Sequence, residues 1–147
     1  MSQLIECVPN FSEARRPDVG GAVAAEAGAF AGIAKAAELI DLDQHTGAHP
    51  RIGATDVVPF VPIQQASIDD CVVIARRLGE RVGCELNIPV YLYEAAATRP
   101  DRHNLENIRR GQYEELKTEI EYNSDRRPDF GPTRLGKAGA TAISSDA

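Results

Sequence analysis

The sequence has no tryptophan and a single methionine, and aromatic side chains make up only 5% of its 147 residues. Large rings are therefore few, and most of any core falls to aliphatic residues and alanine. Cysteine is also scarce. Cys7, Cys71 and Cys84 are odd in number and far apart, and none forms a C-x-x-C pair. That excludes a disulfide-stapled scaffold and a thiolate zinc motif, and leads us to expect reduced, mostly buried thiols. Positive charge is in deficit: 16 Lys and Arg stand against 22 Asp and Glu, for a net charge of −6 and a pI near 5.1. Non-specific binding to nucleic acid or to an anionic membrane is excluded on that balance, whereas a local basic pocket for a small anion is not. No apolar run approaches the roughly 18 residues of a membrane span. Residues 1–6 lack the basic start and apolar centre of a signal peptide. The expectation is a cytoplasmic protein with neither nucleic acid nor membrane as a partner. Walker loops, dinucleotide fingerprints and nucleophile elbows are absent from the sequence as well.

What is present suits one globular domain: 43% hydrophobic and 26% charged residues, in a chain long enough to bury a core. Leu4 to Val8 reads as a short strand stopped by Pro9-Asn10, with Asn10 or Ser12 placed either to cap a following helix or to form a site. Gly20-Gly21 breaks the next segment. From Ala22 an Ala-rich helix is expected, with Val23, Ala27, Phe30, Ala34, Ala37 and Ile40 as its apolar stripe. Val57 to Ile63 is the composition of a strand buried on both faces, and Pro59 and Pro62 predict that it bends or lies near an edge. Ser67 followed by Asp70 is a capping-box start. The helix after it presents Ile68, Cys71, Val72, Ala75, Leu78 and Val82 on one face. Pro89 to Tyr93 is a third strand. Leu105 to Arg110 and Gln112 to Tyr122 read as short helices, and Thr133 to Ala140 as irregular chain. Residues 142–147 read as an unstructured tail. Strands alternating with helices through short connections predict a two-layer α/β sandwich, thin in strands.

The chemistry concentrates in Asp43-Gln44-His45-Thr46-Gly47-Ala48-His49-Pro50-Arg51-Ile52-Gly53-Ala54-Thr55-Asp56. Gly47 and Pro50 prevent a continuous helix, so the two histidines are not a helical metal pair. The stretch reads as a polar loop delivering side chains to the mouth of the following strand. His49 has the proton affinity for general acid–base work at neutral pH, and Arg51 can grip a carboxylate at two points. The competing reading is a surface or capping histidine without a role. A zinc site from Asp43, His45 and His49 has suitable residue types but a tight turn and no fourth ligand nearby; no metal is expected. Arg99, Arg102, His103, Arg109 and Arg110 make a basic stretch in an acidic chain. By default Arg109, Arg110 and Lys117 are a solvated helix face.

Five blocks, in order, carry a family resemblance. They are Glu6 to Glu13, Gly47 to Pro62, Pro89 to Ala96, Asn107 to Glu114, and Pro128 to Pro132 followed by Gly139-Ala140-Thr141. Together they resemble the amino-terminal subdomain of glutamate formiminotransferases over most of the chain. The resemblance implies an α+β sandwich of ferredoxin-like type, with residues 1–141 as the subdomain. It implies transfer of a formimino group from N-formimino-L-glutamate to tetrahydrofolate, the folate being a co-substrate held in a groove between two subdomains. The family's catalytic histidine corresponds to His49. Its folate loop corresponds to Gly131, Pro132, Thr133, Arg134, Leu135, Gly136, Lys137, Ala138 and Gly139. As substrate-binding residues we expect Arg51 and Asp56, with Arg109 or Arg110 attracting the folate tail.

Two departures from the family pattern stand out. Between Val19 and Ala22 the family carries the rest of its first helix and two strands; here that segment is missing and Gly20-Gly21 marks the seam. The family's carboxy-terminal subdomain, the other wall of the groove, does not follow Ile143. A second copy, as in a homodimer, or a separate chain is then expected to complete the groove. The alternatives are a folate-binding or interaction module without turnover, and a truncated, inactive gene product.

Overall fold

The period-two and period-3.6 segments of the sequence form strands and helices much where expected in the computed structural model, which describes residues 4–7, 10–11, 22–45, 47–64 and 66–146. The expected role of Ser12 and the Gly20-Gly21 seam fall outside these residues. Strands β1 (Leu4–Cys7) and β2 (Asn10–Phe11) precede helix α1 (Ala22–Leu39). Then come β3 (Thr55–Gln64), α2 (Ile68–Glu85) and β4 (Val90–Glu94). Short helices α3 (Leu105–Arg109) and α4 (Gln112–Glu119) lead to β5 (Thr141–Ser145).

Among the described residues the sheet runs β1-β3-β5-β4, with β2 beside β3. β3, β5 and β4 are parallel, while β1 and β2 run antiparallel to β3. The architecture is a mixed, incomplete α+β sandwich. β5 corrects the expectation of an unstructured tail from residue 142. Its residues Thr141 to Ser145 are all buried, and they form the strand that joins β3 to β4. Two consecutive serines hid it, because a hydroxyl reads as exposed until the flanking strands are known. Each proline of β3 is registered with a strand on one side and meets a gap on the other. Pro59 falls between the stretches registered with β1 and β2, and Pro62 lies past the last residue paired with β5. So β3 is interior over its first half and edge-like beyond.

Each parallel strand divides its side chains between two cores. Val90, Leu92, Ile143, Val58 and Phe60 face α1 and α2 and meet Ile33, Cys71, Ala75, Leu78 and Val82. Tyr91, Tyr93 and Ala142 face the other way and meet Ile108, Tyr113, Leu116, Ile120 and Leu135. The capping box of α2 forms as expected: the Ser67 hydroxyl accepts the Asp70 N–H at 3.1 Å, and the Asp70 carboxylate accepts the Ser67 N–H at 2.9 Å. The stripe of α1 is rotated from its expected position, since Ala29, Ile33, Ala36 and Ile40 are buried while Ala27 is exposed. In an alanine-rich helix any of several faces satisfies the period, and here the isoleucines decide.

Among the described residues the outer edge of β4 has no neighbouring strand, yet its donors are satisfied. The N–H of Val90 goes to the Phe130 carbonyl at 2.9 Å, that of Leu92 to the Asp129 carboxylate at 2.8 Å, and that of Glu94 to the His103 carbonyl at 3.2 Å. Asp129 is itself held by the Thr98 hydroxyl and by Arg102, the latter at 3.2 Å.

Candidate functional site

Because β3, β4 and β5 are parallel, the segments that enter them gather at one end of the sheet. The histidine loop enters β3 there, and the Gly136–Gly139 segment enters β5. The two are tied by backbone: the Leu42 N–H donates to the Lys137 carbonyl and the Ala54 N–H to the Ala138 carbonyl, both at 2.8 Å, and the Ala140 N–H donates to the Ile52 carbonyl at 2.9 Å. Gly53 and Gly139 pair directly across this seam. The approach is so close that a Cβ on Gly139, whose φ is +70°, would overlap the Ile52 carbonyl oxygen.

Helix α4 flanks the same loop. Its own position is fixed by Tyr113 and Leu116, which are buried in the second core, as is Ile120 just beyond its end. At the near foot of the loop, the Asp43 carboxylate accepts the Tyr113 hydroxyl at 2.8 Å and the Lys117 ammonium at 2.5 Å. The Lys117 and Tyr113 donors hold the Asp43 carboxyl below the usual range, and the Asp43 carboxylate in turn raises Lys117. Burial, and then the bond to Asp43, push the Tyr113 hydroxyl up. At the far foot, Arg51 is only 7% exposed. Its guanidinium grips both Glu114 oxygens, at 3.0 and 3.2 Å, and donates to the His45 carbonyl at 3.0 Å. That grip holds the Glu114 carboxyl below its ordinary range. The Arg51 carbonyl accepts the Tyr113 N–H at 2.9 Å.

Between these feet His49 is exposed. A histidine on a short loop anchored at both ends, with its ring open to solvent, can meet a ligand without first being uncovered. The two-point grip anticipated for a ligand carboxylate is taken by Glu114. Asp56 is buried: one oxygen accepts the Ile52 N–H at 2.9 Å and the other pairs with Arg109. Arg110 stands apart with an exposed side chain, and its only ion-pair contact among the described residues is a loose one of 3.9 Å to Glu119. The anticipated glycine-rich segment divides in two. Gly136 to Gly139 lies against the histidine loop, whereas Gly131 packs on Ile88 and Pro89 ahead of β4. Leu135 is buried in the second core, while Thr133, Arg134, Gly136 and Lys137 are exposed. Pro132 and Ala138 are half-buried.

Sequence reasoning missed Asp43, Tyr113, Glu114 and Lys117 as members of this assembly. Asp43 had been weighed only as a metal ligand, and here it is committed to Tyr113 and Lys117. It also missed Arg102 and Arg126, both 4% exposed. Arg126 donates to the Arg110 carbonyl at 3.0 Å and Arg102 to the Asp125 carbonyl at 3.2 Å, so part of the basic stretch serves to hold backbone. No helix among the described residues is long and apolar enough to cross a membrane.

Comparison with known proteins gives a consistent result. The family model described as formiminotransferase domain, N-terminal subdomain, matches residues 19–146. A glutamate formimidoyltransferase of Thermoplasma acidophilum is 47% identical over 175 residues, covering 95% of this chain and 57% of the relative. One of Streptococcus pyogenes is 35% identical over 177 residues, covering 97% of this chain and 59% of the relative. A formimidoyltransferase-cyclodeaminase of Rattus norvegicus is 38% identical over 166 residues, covering 90% of this chain and 30% of the relative. The chain thus spans little more than half of the first two and under a third of the last. The aligned stretches are longer than the chain's own 147 residues, so these relatives hold residues there that this chain lacks.

Proposed function

Because this chain belongs to the formiminotransferase N-terminal subdomain family, we propose that it forms one wall of a site that moves a formimino group from N-formimino-L-glutamate to tetrahydrofolate. The observation that carries this reading is the seam between the loop bearing His49 and the Gly136–Gly139 segment expected to meet the folate. In the reaction the folate amine forms a new C–N bond to the formimino carbon, and the C–N bond to glutamate breaks. His49 accepts the proton that the attacking amine must lose and returns it to the departing glutamate amine. Of Arg109 and Arg110, Arg110 is the more exposed and is the one available to the folate tail. The products are 5-formiminotetrahydrofolate and glutamate, and the role proposed with them is a step of histidine degradation in the cytoplasm. Arg51 and the Asp56–Arg109 pair shape the wall rather than face open solvent.

The missing residues bear on activity. The family match begins at residue 19, beside Gly20-Gly21, which supports a loss at that point. A ligand held in a groove is shielded from water only when both walls are present; a second copy of this chain or a separate chain are the candidates for the second wall. The residues lost beside Gly20-Gly21 favour, as a second reading, a module that binds folate without turnover.

The test is a transfer assay with N-formimino-L-glutamate and tetrahydrofolate, following formimino-folate. Removing a general acid–base typically costs about 10²–10⁴ in rate, so His49→Ala should lose at least a hundredfold. Equal turnover in wild type and variant would overturn the role of His49. Folate binding with no turnover in either would support the second reading.

A further inference from the structure

We propose that α4 is the brace that holds His49 in place, with Lys117 and Glu114 as positioning residues that never touch substrate. The reading of His49 as the proton carrier is taken from the proposed function. The brace itself rests on geometry alone.

Three features carry it. First, α4 engages both feet of the loop from one short stretch of helix. Tyr113 and Lys117, four residues apart and so on one face, converge on the same Asp43 oxygen at 2.8 and 2.5 Å. Glu114, beside Tyr113, takes the Arg51 guanidinium at two points. Second, the dependence is mutual. α4 starts at Gly111, which has no side chain to cap the first turn. One of the donors left open there, the Tyr113 N–H, is satisfied by the loop's own Arg51 carbonyl at 2.9 Å. Third, the contacts are lopsided in burial. Arg51 and Tyr113 lie inside, whereas the side chains of Glu114 and Lys117 are 65% and 43% exposed. For exposed ion pairs this selective placement at both feet of one loop has little to give to global stability. Its effect falls on the orientation of what lies between, and His49 is the titratable side chain exposed there.

The same exposure makes the test clean, since Lys117→Met and Glu114→Gln empty no core. In the transfer assay, Lys117→Met should lower kcat by about ten- to a hundredfold while KM for tetrahydrofolate stays within about twofold, as misplacement of a catalytic group does. Lys117→Arg should restore most of the rate. Hydrogen exchange gives a readout independent of turnover. Peptides spanning residues 43–51 should exchange faster in Lys117→Met and faster again with Glu114→Gln added, while peptides of α2 and β4 stay unchanged. Unchanged exchange at residues 43–51 in the double variant would overturn the brace, as would a rise in KM with kcat intact. If the wild type shows no turnover, the reading of this chain as a transferase by itself fails while the exchange result still decides the brace.

Discussion

The two faces of the sheet are built from alternate residues of the same strands, and they have been put to different uses. The face toward α1 and α2 is an apolar core of aliphatic side chains and Phe60, closed by a long helix with a proper capping box. The face toward α3 and α4 carries Tyr91, Tyr93 and Tyr113, buried arginines, and the histidine loop at its end. Burial pushes the Tyr91 hydroxyl well up and raises that of Tyr93, and Tyr91 donates to the Arg126 carbonyl at 2.5 Å. The contrast teaches a division of labour. One face makes the fold, and the other holds irregular chain at fixed places by means of directional polar contacts.

Three measurements would break or sharpen that contrast. The largest effect is expected on the aliphatic face. Phe60 is fully buried there, and Phe60→Ala should cost about 3–5 kcal/mol in urea unfolding. By contrast, exchange at the histidine loop should change no more than elsewhere. A loop-selective response to Phe60→Ala would show that the two faces are not separable. Next is Gly139→Ala, which forces a side chain onto a left-handed backbone against Ile52 and should cost about 2–4 kcal/mol. Here the loss should come with selective loosening of residues 43–54. A variant as stable as the wild type would mean that the seam is slack.

The smallest effect is the dependence on acid. The carboxyls of Asp43 and Glu114 titrate lower in the folded chain than their ordinary values. Each therefore contributes stability that is present above the ordinary carboxylate value and lost as pH falls through the lowered one. The urea midpoint should thus fall between about pH 5 and pH 3, and fall less when Asp43→Asn and Glu114→Gln are combined. Parallel curves would remove these two groups from the account.

What the sequence revealed follows the same division. The α2 face and its capping box were legible because they depend on neighbours three and four residues away. The histidine loop was legible as a loop, because Gly47 and Pro50 are local signals. The brace was not, since Asp43 and Lys117 are 74 residues apart, as Arg51 and Glu114 are 63, and a charged helix face gives no sign of what it will meet. β5 was missed for a related reason. Thr141 to Ser145 becomes a strand only because two parallel neighbours bury it. Tertiary contact, rather than intrinsic preference, decides such a segment.

Asp129 at the outer edge of β4 has a consequence for how copies of this chain can assemble. A sheet edge with open donors behaves like the live end of a growing polymer, adding strand after strand. Here a side-chain carboxylate takes the Leu92 donor, and backbone carbonyls take those of Val90 and Glu94. Asp129 acts as a chain terminator: it can fill one site on the edge, but it offers no further strand to extend from. A strand from a second copy therefore finds no open run of donors on this edge among the described residues.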